Sequence, residues 1–181
     1  MLPQISQPSA PAWRRAASLK FWLCLAVLPV VLRAEIKVGD SFPDLNVPGM
    51  SILGGGELPK IAGSVVLVDF WASWCAPCKA SFPAMAKLHT ELGRRGFVIV
   101  AVSVDEKLNA AVQFVKKLAP PFVTIHDREQ NLVKNVVVPT MPTSYLVGRD
   151  GRVRYVHTGY HGAASDKELR SEIEALLNES K

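Results

Sequence analysis

Val65-Val66-Leu67-Val68-Asp69-Phe70-Trp71 is rich in β-branched residues and apolar at every position but Asp69, the pattern of a strand buried on both faces. From about Cys75 to Leu92 the period changes. Phe82, Met85, Leu88 with His89, and Leu92 recur at helical spacing, and Gly93 and Gly96 flank the end of the segment. Pro83 inside this pattern predicts a kink. Phe97–Val104 reads as a second buried strand and Leu108–Leu118 as a second helix, closed by Pro120-Pro121. Phe122–Ile125 is a short strand, followed by a weak helical turn from Gln130 to Asn135. Thr143–Val147 and Arg152–His157 form a hairpin around Gly148-Arg149-Asp150-Gly151, with its Asp-Gly turn signal. Ser165-Asp166-Lys167-Glu168 reads as a capping box ahead of a helix with Leu169, Ile173, Leu176 and Leu177 on its apolar face.

The order β-α-β-α-β-(turn)-β-β-α calls for a mixed central sheet with helices on both faces, an α/β fold. Residues 35–64 are broken by Pro43, Pro48, Gly49 and Gly54-Gly55-Gly56, and read as a loosely built N-terminal extension carrying a small hairpin. The chain shows no internal repeat.

Residues 1–34 differ from the rest. Arg14, Arg15 and Lys20 precede an apolar run from Phe21 to Leu32, and the segment closes with Arg33-Ala34. That is the plan of a secretory signal peptide cleaved after Ala34. The run is shorter than the roughly 17–25 residues that usually span a bilayer, which leaves an uncleaved anchor as the alternative. Ala16, Ala17 and Ser18 fit a twin-arginine signal poorly. The expected division is a signal at 1–34 and one domain at 35–181.

Composition matters mainly through this division. Of the chain's net charge of +5, four positive charges lie within residues 1–34, so the mature chain carries +1 and no basic stripe for nucleic acid. Cys24 leaves with the same segment. Phe21-Trp22-Leu23 lacks the small residues that precede a lipidated cysteine. Cys75 and Cys78 then remain, and a disulfide closing so short a loop staples almost nothing. Chemistry motivates the pair better than structure does.

Cys75-Ala76-Pro77-Cys78 lies between a buried strand and a first helical turn. Unpaired N–H groups and the helix dipole stabilise an anion there. A thiol so placed falls from about 8.5 into the range of roughly 3.5–7.5. Cys75 is therefore the expected nucleophile, and Cys78, one turn further and more shielded, the resolving thiol. Pro77 suits a first turn, where its missing N–H costs nothing. Asp69, on an apolar strand, should have a raised pKa and could take the Cys78 proton; a strand-edge Asp reaching solvent is the bland alternative. Trp71 reads as core and Trp74 as exposed rim.

The segment Asp69-Phe70-Trp71-Ala72-Ser73-Trp74-Cys75-Ala76-Pro77-Cys78-Lys79 resembles the active site of the thioredoxin superfamily. Pro83 matches that family's helix proline, and Met141-Pro142-Thr143 is similar to the segment holding its cis-proline, with Pro139 as a rival for the cis bond. The resemblance covers about residues 58–177. It implies that Pro142 packs against the dithiol and leaves room for an extended substrate strand paired with the backbone of Met141, with Trp74 and Pro77 at the binding rim. The export signal, the Trp-Cys-x-Pro-Cys form and an inserted stretch from about Asp105 to Val138 are more similar to the TlpA/ResA-like branch. That branch implies a periplasmic or membrane-tethered reductase of protein disulfides, recharged by a membrane electron donor of the DsbD/CcdA type, with no cofactor. Ser81 stands where many members carry Glu. Asp69 is the thioredoxin-like choice where the branch often has Asn, yet no Lys partner occurs between Phe97 and Val104.

Three rival readings fit the sequence less well. His157 and His161 have H-x3-H spacing and could join Cys75 and Cys78 around zinc, but about eighty residues part the pairs, against the roughly twelve to fifteen of zinc modules. Those histidines, with His89 and His126, read as ordinary solvated residues. A non-enzymatic copper-delivery protein lacks a Met- or His-rich patch, since Met50, Met85 and Met141 are scattered. A peroxidase lacks Thr three residues before its cysteine, where Ala72 stands. A dithiol oxidase shares the chemistry and differs in potential, and Pro77 with the modest insertion favours the reductase.

Overall fold

The structure, a computed structural model, describes residues 35–54 and 57–179. The expected signal at 1–34 lies outside the described residues. Six strands form one mixed sheet: β1 (Met50–Leu53), β2 (Val65–Trp71), β3 (Phe97–Ser103), β4 (Val123–Asp127), β5 (Thr143–Val147) and β6 (Val153–Thr158), in the order β1-β4-β3-β2-β5-β6. Four helices, α1 (Ala76–Leu92), α2 (Leu108–Leu118), α3 (Asn131–Val136) and α4 (Ala163–Asn178), connect and flank them. The α/β reading holds. Among the described residues no helix is long and apolar enough to cross a membrane.

All seven residues of β2 are buried, and the strand is central. It runs parallel to β3, with Asp69 beside Ala101, and antiparallel to β5, with Asp69 beside Ser144. Because side chains alternate across a strand, Val66, Val68 and Phe70 face one side of the sheet while Asp69 and Trp71 face the other. Trp71 is fully buried, stacked on Phe114 of α2 at 4.5 Å between ring centroids and edge-on to Phe82 of α1 at 5.3 Å. On the opposite side Phe70 meets Tyr145 edge-on at 6.0 Å, and Phe42 of the N-terminal extension packs on the same tyrosine at 5.5 Å.

Several expectations are corrected. The extension holds no hairpin among its described residues. Its strand β1 instead pairs antiparallel with β4, from Met50 beside Asp127 to Leu53 beside Thr124, and Ser41 bridges to Arg152. That pairing also carries β4 to Asp127, two residues past the expected end. The stretch from Asp105 to Val138 supplies α2, β4 and α3, in the order expected of it. Pro83 lies inside α1, in keeping with its place in the helical pattern. The capping box does not form: Gly162, at φ +65°, turns the chain into α4 earlier, and Ser165 Oγ accepts from the N–H of His161 at 2.9 Å.

Candidate active site

The dithiol sits where β2 hands over to α1. Cys75 is the N-cap of α1, in extended conformation, with its N–H donating to Ala72 O at 3.1 Å. Its Sγ accepts from the N–H of Cys78 at 3.1 Å, so one of the helix's unpaired donors already points at this sulfur. Cys75 and Cys78 are joined as a disulfide, with Cα atoms 5.3 Å apart. Cys75 is 5% exposed and Cys78 0%, so the solvent edge of the pair belongs to Cys75. Ala76 and Pro77 are exposed beside it, and Trp74 is 72% exposed, as its rim assignment requires.

The loop before Cys75 is anchored by a residue that sequence reasoning missed. Asp105, 3% exposed, accepts from the Ser73 N–H at 3.0 and 3.2 Å and from Ser73 Oγ at 2.7 Å. Ser103 Oγ donates to it at 2.9 Å. His126, expected to be solvated, is buried, and its Nε2 donates to Asp105 O at 2.7 Å. His89 is also not a free surface residue: its ring meets Phe122, and burial lowers its pKa.

The Met141–Pro142 peptide bond is cis and directly precedes β5; Pro139 is not the cis residue. The register sets Thr143 beside Phe70, which brings Pro142 to the Trp71 end of β2. Pro142 is buried, Met141 half-buried, and Pro142 O accepts from the Gly159 N–H at 2.8 Å.

Asp69 opens onto a small cleft of about 30 Å³, lined also by Ser81, Met85, Pro142, Ser144 and His157 among others. Asp69 is 1% exposed, which excludes the strand-edge reading. Burial pushes its carboxyl up to about 7, against a smaller opposing pull from Ser144, whose hydroxyl donates to Oδ1 at 2.6 Å. Oδ2 has no hydrogen-bond partner among the described residues. The side-chain partner of Asp69 is therefore Ser144 on β5, where the resemblance implied a lysine on β3. The pairing of β2 with β5 could have found it: Ser144 is two residues after Pro142. Ser81 is buried, and its hydroxyl donates to Cys78 O at 2.9 Å.

The zinc arrangement does not assemble. The two cysteines bond each other, and His157 Nε2 lies 2.6 Å from Glu172 Oε2 on α4. His157 is thus a paired residue, not a solvated one.

A strand-to-helix CxxC disulfide, with a cis-proline leading into the strand beside β2, matches what comparison with known proteins returns. The profile of the Redoxin family matches residues 37–176. The chain belongs to the Redoxin family. Within it, the chain is similar to thiol-disulfide oxidoreductases called ResA. That of Oceanobacillus iheyensis is 32% identical over 126 residues, covering 68% of this chain and 66% of that protein. That of Geobacillus thermodenitrificans is 29% identical over 147 residues, 80% of each chain. The aligned part thus spans about two thirds of the Oceanobacillus relative's length. Among solved structures, a Chlorobium tepidum protein assigned to the thiol:disulfide interchange proteins DsbE superposes with a TM-score of 0.70 at 34% identity, covering 80% of this chain and all of that one. The thioredoxin-like fold follows for this Redoxin-family chain, together with a likeness to thiol-disulfide oxidoreductases.

Proposed function

We propose that the protein reduces disulfides of other proteins outside the cytoplasm, with Cys75 as nucleophile and Cys78 as resolving thiol. The observation that carries this is the helix N-cap position of Cys75, with the Cys78 N–H on its sulfur. In the reduced enzyme that geometry favours a thiolate. The Cys75 thiolate attacks a substrate disulfide, and one substrate sulfur leaves with the electron pair. Cys78 then loses its proton to Asp69, its thiolate attacks Cys75 Sγ, and the second substrate sulfur departs. The oxidised pair is the disulfide of the present structure. No cofactor enters this exchange, because two sulfurs carry both electrons.

The edge around Cys75 suits an extended client. Trp74 and Pro77 give an exposed apolar rim, and the Met141 backbone beside Pro142 can pair with a substrate strand. Export rests on the basic start and apolar run of residues 1–34. An enzyme oxidised at each turnover outside the cytoplasm needs electrons from across the membrane, which makes a donor of the DsbD/CcdA type the matching partner.

The test is insulin disulfide reduction with dithiothreitol, together with equilibration of the pair against glutathione. The expected result is activity lost in Cys75→Ser and a potential near the roughly −270 mV of thioredoxin. A potential near the roughly −120 mV of strong oxidants would replace this reading with a dithiol oxidase.

A further inference from the structure

Asp69, Ser144 and His157 lie side by side on three neighbouring strands. The β2–β5 register sets Asp69 opposite Ser144, and the β5–β6 register sets Ser144 opposite His157. Directly opposed residues on adjacent strands share a face, with Cβ atoms about 4.5–5.5 Å apart. The row starts at a fully buried carboxylate and ends at a half-buried imidazole bonded to Glu172. Asp69, Ser144 and His157 line the same cleft, whose volume of about 30 Å³ exceeds the roughly 10–15 Å³ that one water needs.

A carboxylate that accepts a proton once per turnover must also release it. Asp69 is 1% exposed, and the cleft it lines is its path toward bulk solvent. We propose that His157, paired with Glu172, is the outlet through which Asp69 exchanges its proton with solvent, across Ser144 and the cleft. This rests on the reading that Asp69 takes the Cys78 proton.

The step balances. Cys78 S–H gives its proton to Asp69, the Cys78–Cys75 bond forms, and the Cys75–substrate bond breaks with its electron pair leaving on the substrate sulfur. The proton on Asp69 then passes to the His157–Glu172 pair and into water. Imidazole suits the task because it takes up and gives back protons near neutral pH.

The surroundings of the outlet are few. From α4, Glu172 bonds His157 Nε2 at 2.6 Å, and exposed Glu168 lies 4.0 Å from Nδ1. Burial raises the pKa of Glu172, His157 lowers it, and Glu168 raises it again. Tyr160 and Asp166 also line the cleft but satisfy each other through a 2.9 Å hydrogen bond. From α1 the cleft receives Ser81, Ala84 and Met85, none of them ionisable near neutral pH, and from β5 it receives Ser144.

Stopped-flow reaction of the reduced, purified protein with 5,5′-dithiobis(2-nitrobenzoate) tests this. The first equivalent of thionitrobenzoate reports attack by Cys75 and the second reports resolution by Cys78. At pH 6 Asp69, pushed up to about 7, starts protonated and must empty through the outlet before Cys78 can resolve. There His157→Gln should leave the first phase unchanged and slow the second about ten-fold, less than the roughly 10²–10⁴-fold of a direct general base. Added imidazole should restore it. In Asp69→Asn the second phase should be slow without rescue, and adding His157→Gln to that variant should slow it no further. An unchanged second phase in His157→Gln overturns the proposal, as does slowing that imidazole leaves in place. An unchanged second phase in Asp69→Asn fails the Asp69 reading separately, and loss of insulin reduction in the wild type fails the reductase reading.

Discussion

Asp105 holds Ser73 by both its N–H and its hydroxyl, across 32 residues of sequence, and thereby fixes the loop that delivers Cys75. The same carboxylate accepts from Ser103 Oγ, while its own backbone carbonyl takes the His126 ring nitrogen. One buried acid therefore ties β3 and β4 to Ser73, two residues before Cys75. Asp105→Ala leaves these donors unsatisfied in the interior. It should destabilise the fold by about 1–3 kcal/mol in urea unfolding. Insulin reduction by the folded fraction should fall, while Asp105→Asn, which keeps an acceptor oxygen, should fall less.

Asp69 makes stability depend on pH with a definite sign. Its carboxyl rises from 3.8 unfolded to about 7 in the fold, chiefly through burial. The native state therefore binds this proton more tightly than the unfolded state. The associated stability is complete below about pH 4, falls as pH rises to about 7, and is flat beyond. Three units correspond to on the order of 4 kcal/mol. Asp69→Asn should remove most of that slope, leaving the variant more stable than wild type at pH 8 in urea titrations.

Cys78→Ala should retain attack by Cys75 and lose resolution. A mixed disulfide with substrate should accumulate and appear as a mass adduct that dithiothreitol removes. Cys75→Ser should form none. An adduct on Cys78 in that second variant would reverse the assigned roles.

Trp74 is 72% exposed and carries none of the core. Trp74→Ala should shift stability by no more than about 0.5 kcal/mol. The KM for a protein disulfide should nevertheless rise several-fold, with little change for a small disulfide such as 5,5′-dithiobis(2-nitrobenzoate). Equal loss on both substrates would move Trp74 from client binding to the chemistry.

The local chemistry of the site was legible because it is written in consecutive residues. Cys75 to Cys78, the apolar strand before them and the helical spacing after them are set by periods of two and 3.6, which one segment carries by itself. The same locality makes Asp69 recognisable as a buried acid and Pro142 as a proline leading into a strand. It failed at Ser165, where a local capping signal was overridden by a glycine turn at Gly162. It failed also at the N-terminal extension, where β1 finds its partner in β4 more than seventy residues away.

Partnership was decided by the tertiary structure alone. Which strand lies beside β2 determines that Ser144, and no lysine, meets Asp69, and that His157 follows in the next position. Asp105 carries no signal in sequence, since a lone acid after a strand reads as a surface residue until β3 and the active-site loop converge on it. Sequence specifies what each segment can do, because propensity and side-chain period are local. Register between distant strands specifies which polar groups share a buried space, and there the unpaired acid at Asp69 acquires its hydrogen bond and its high pKa.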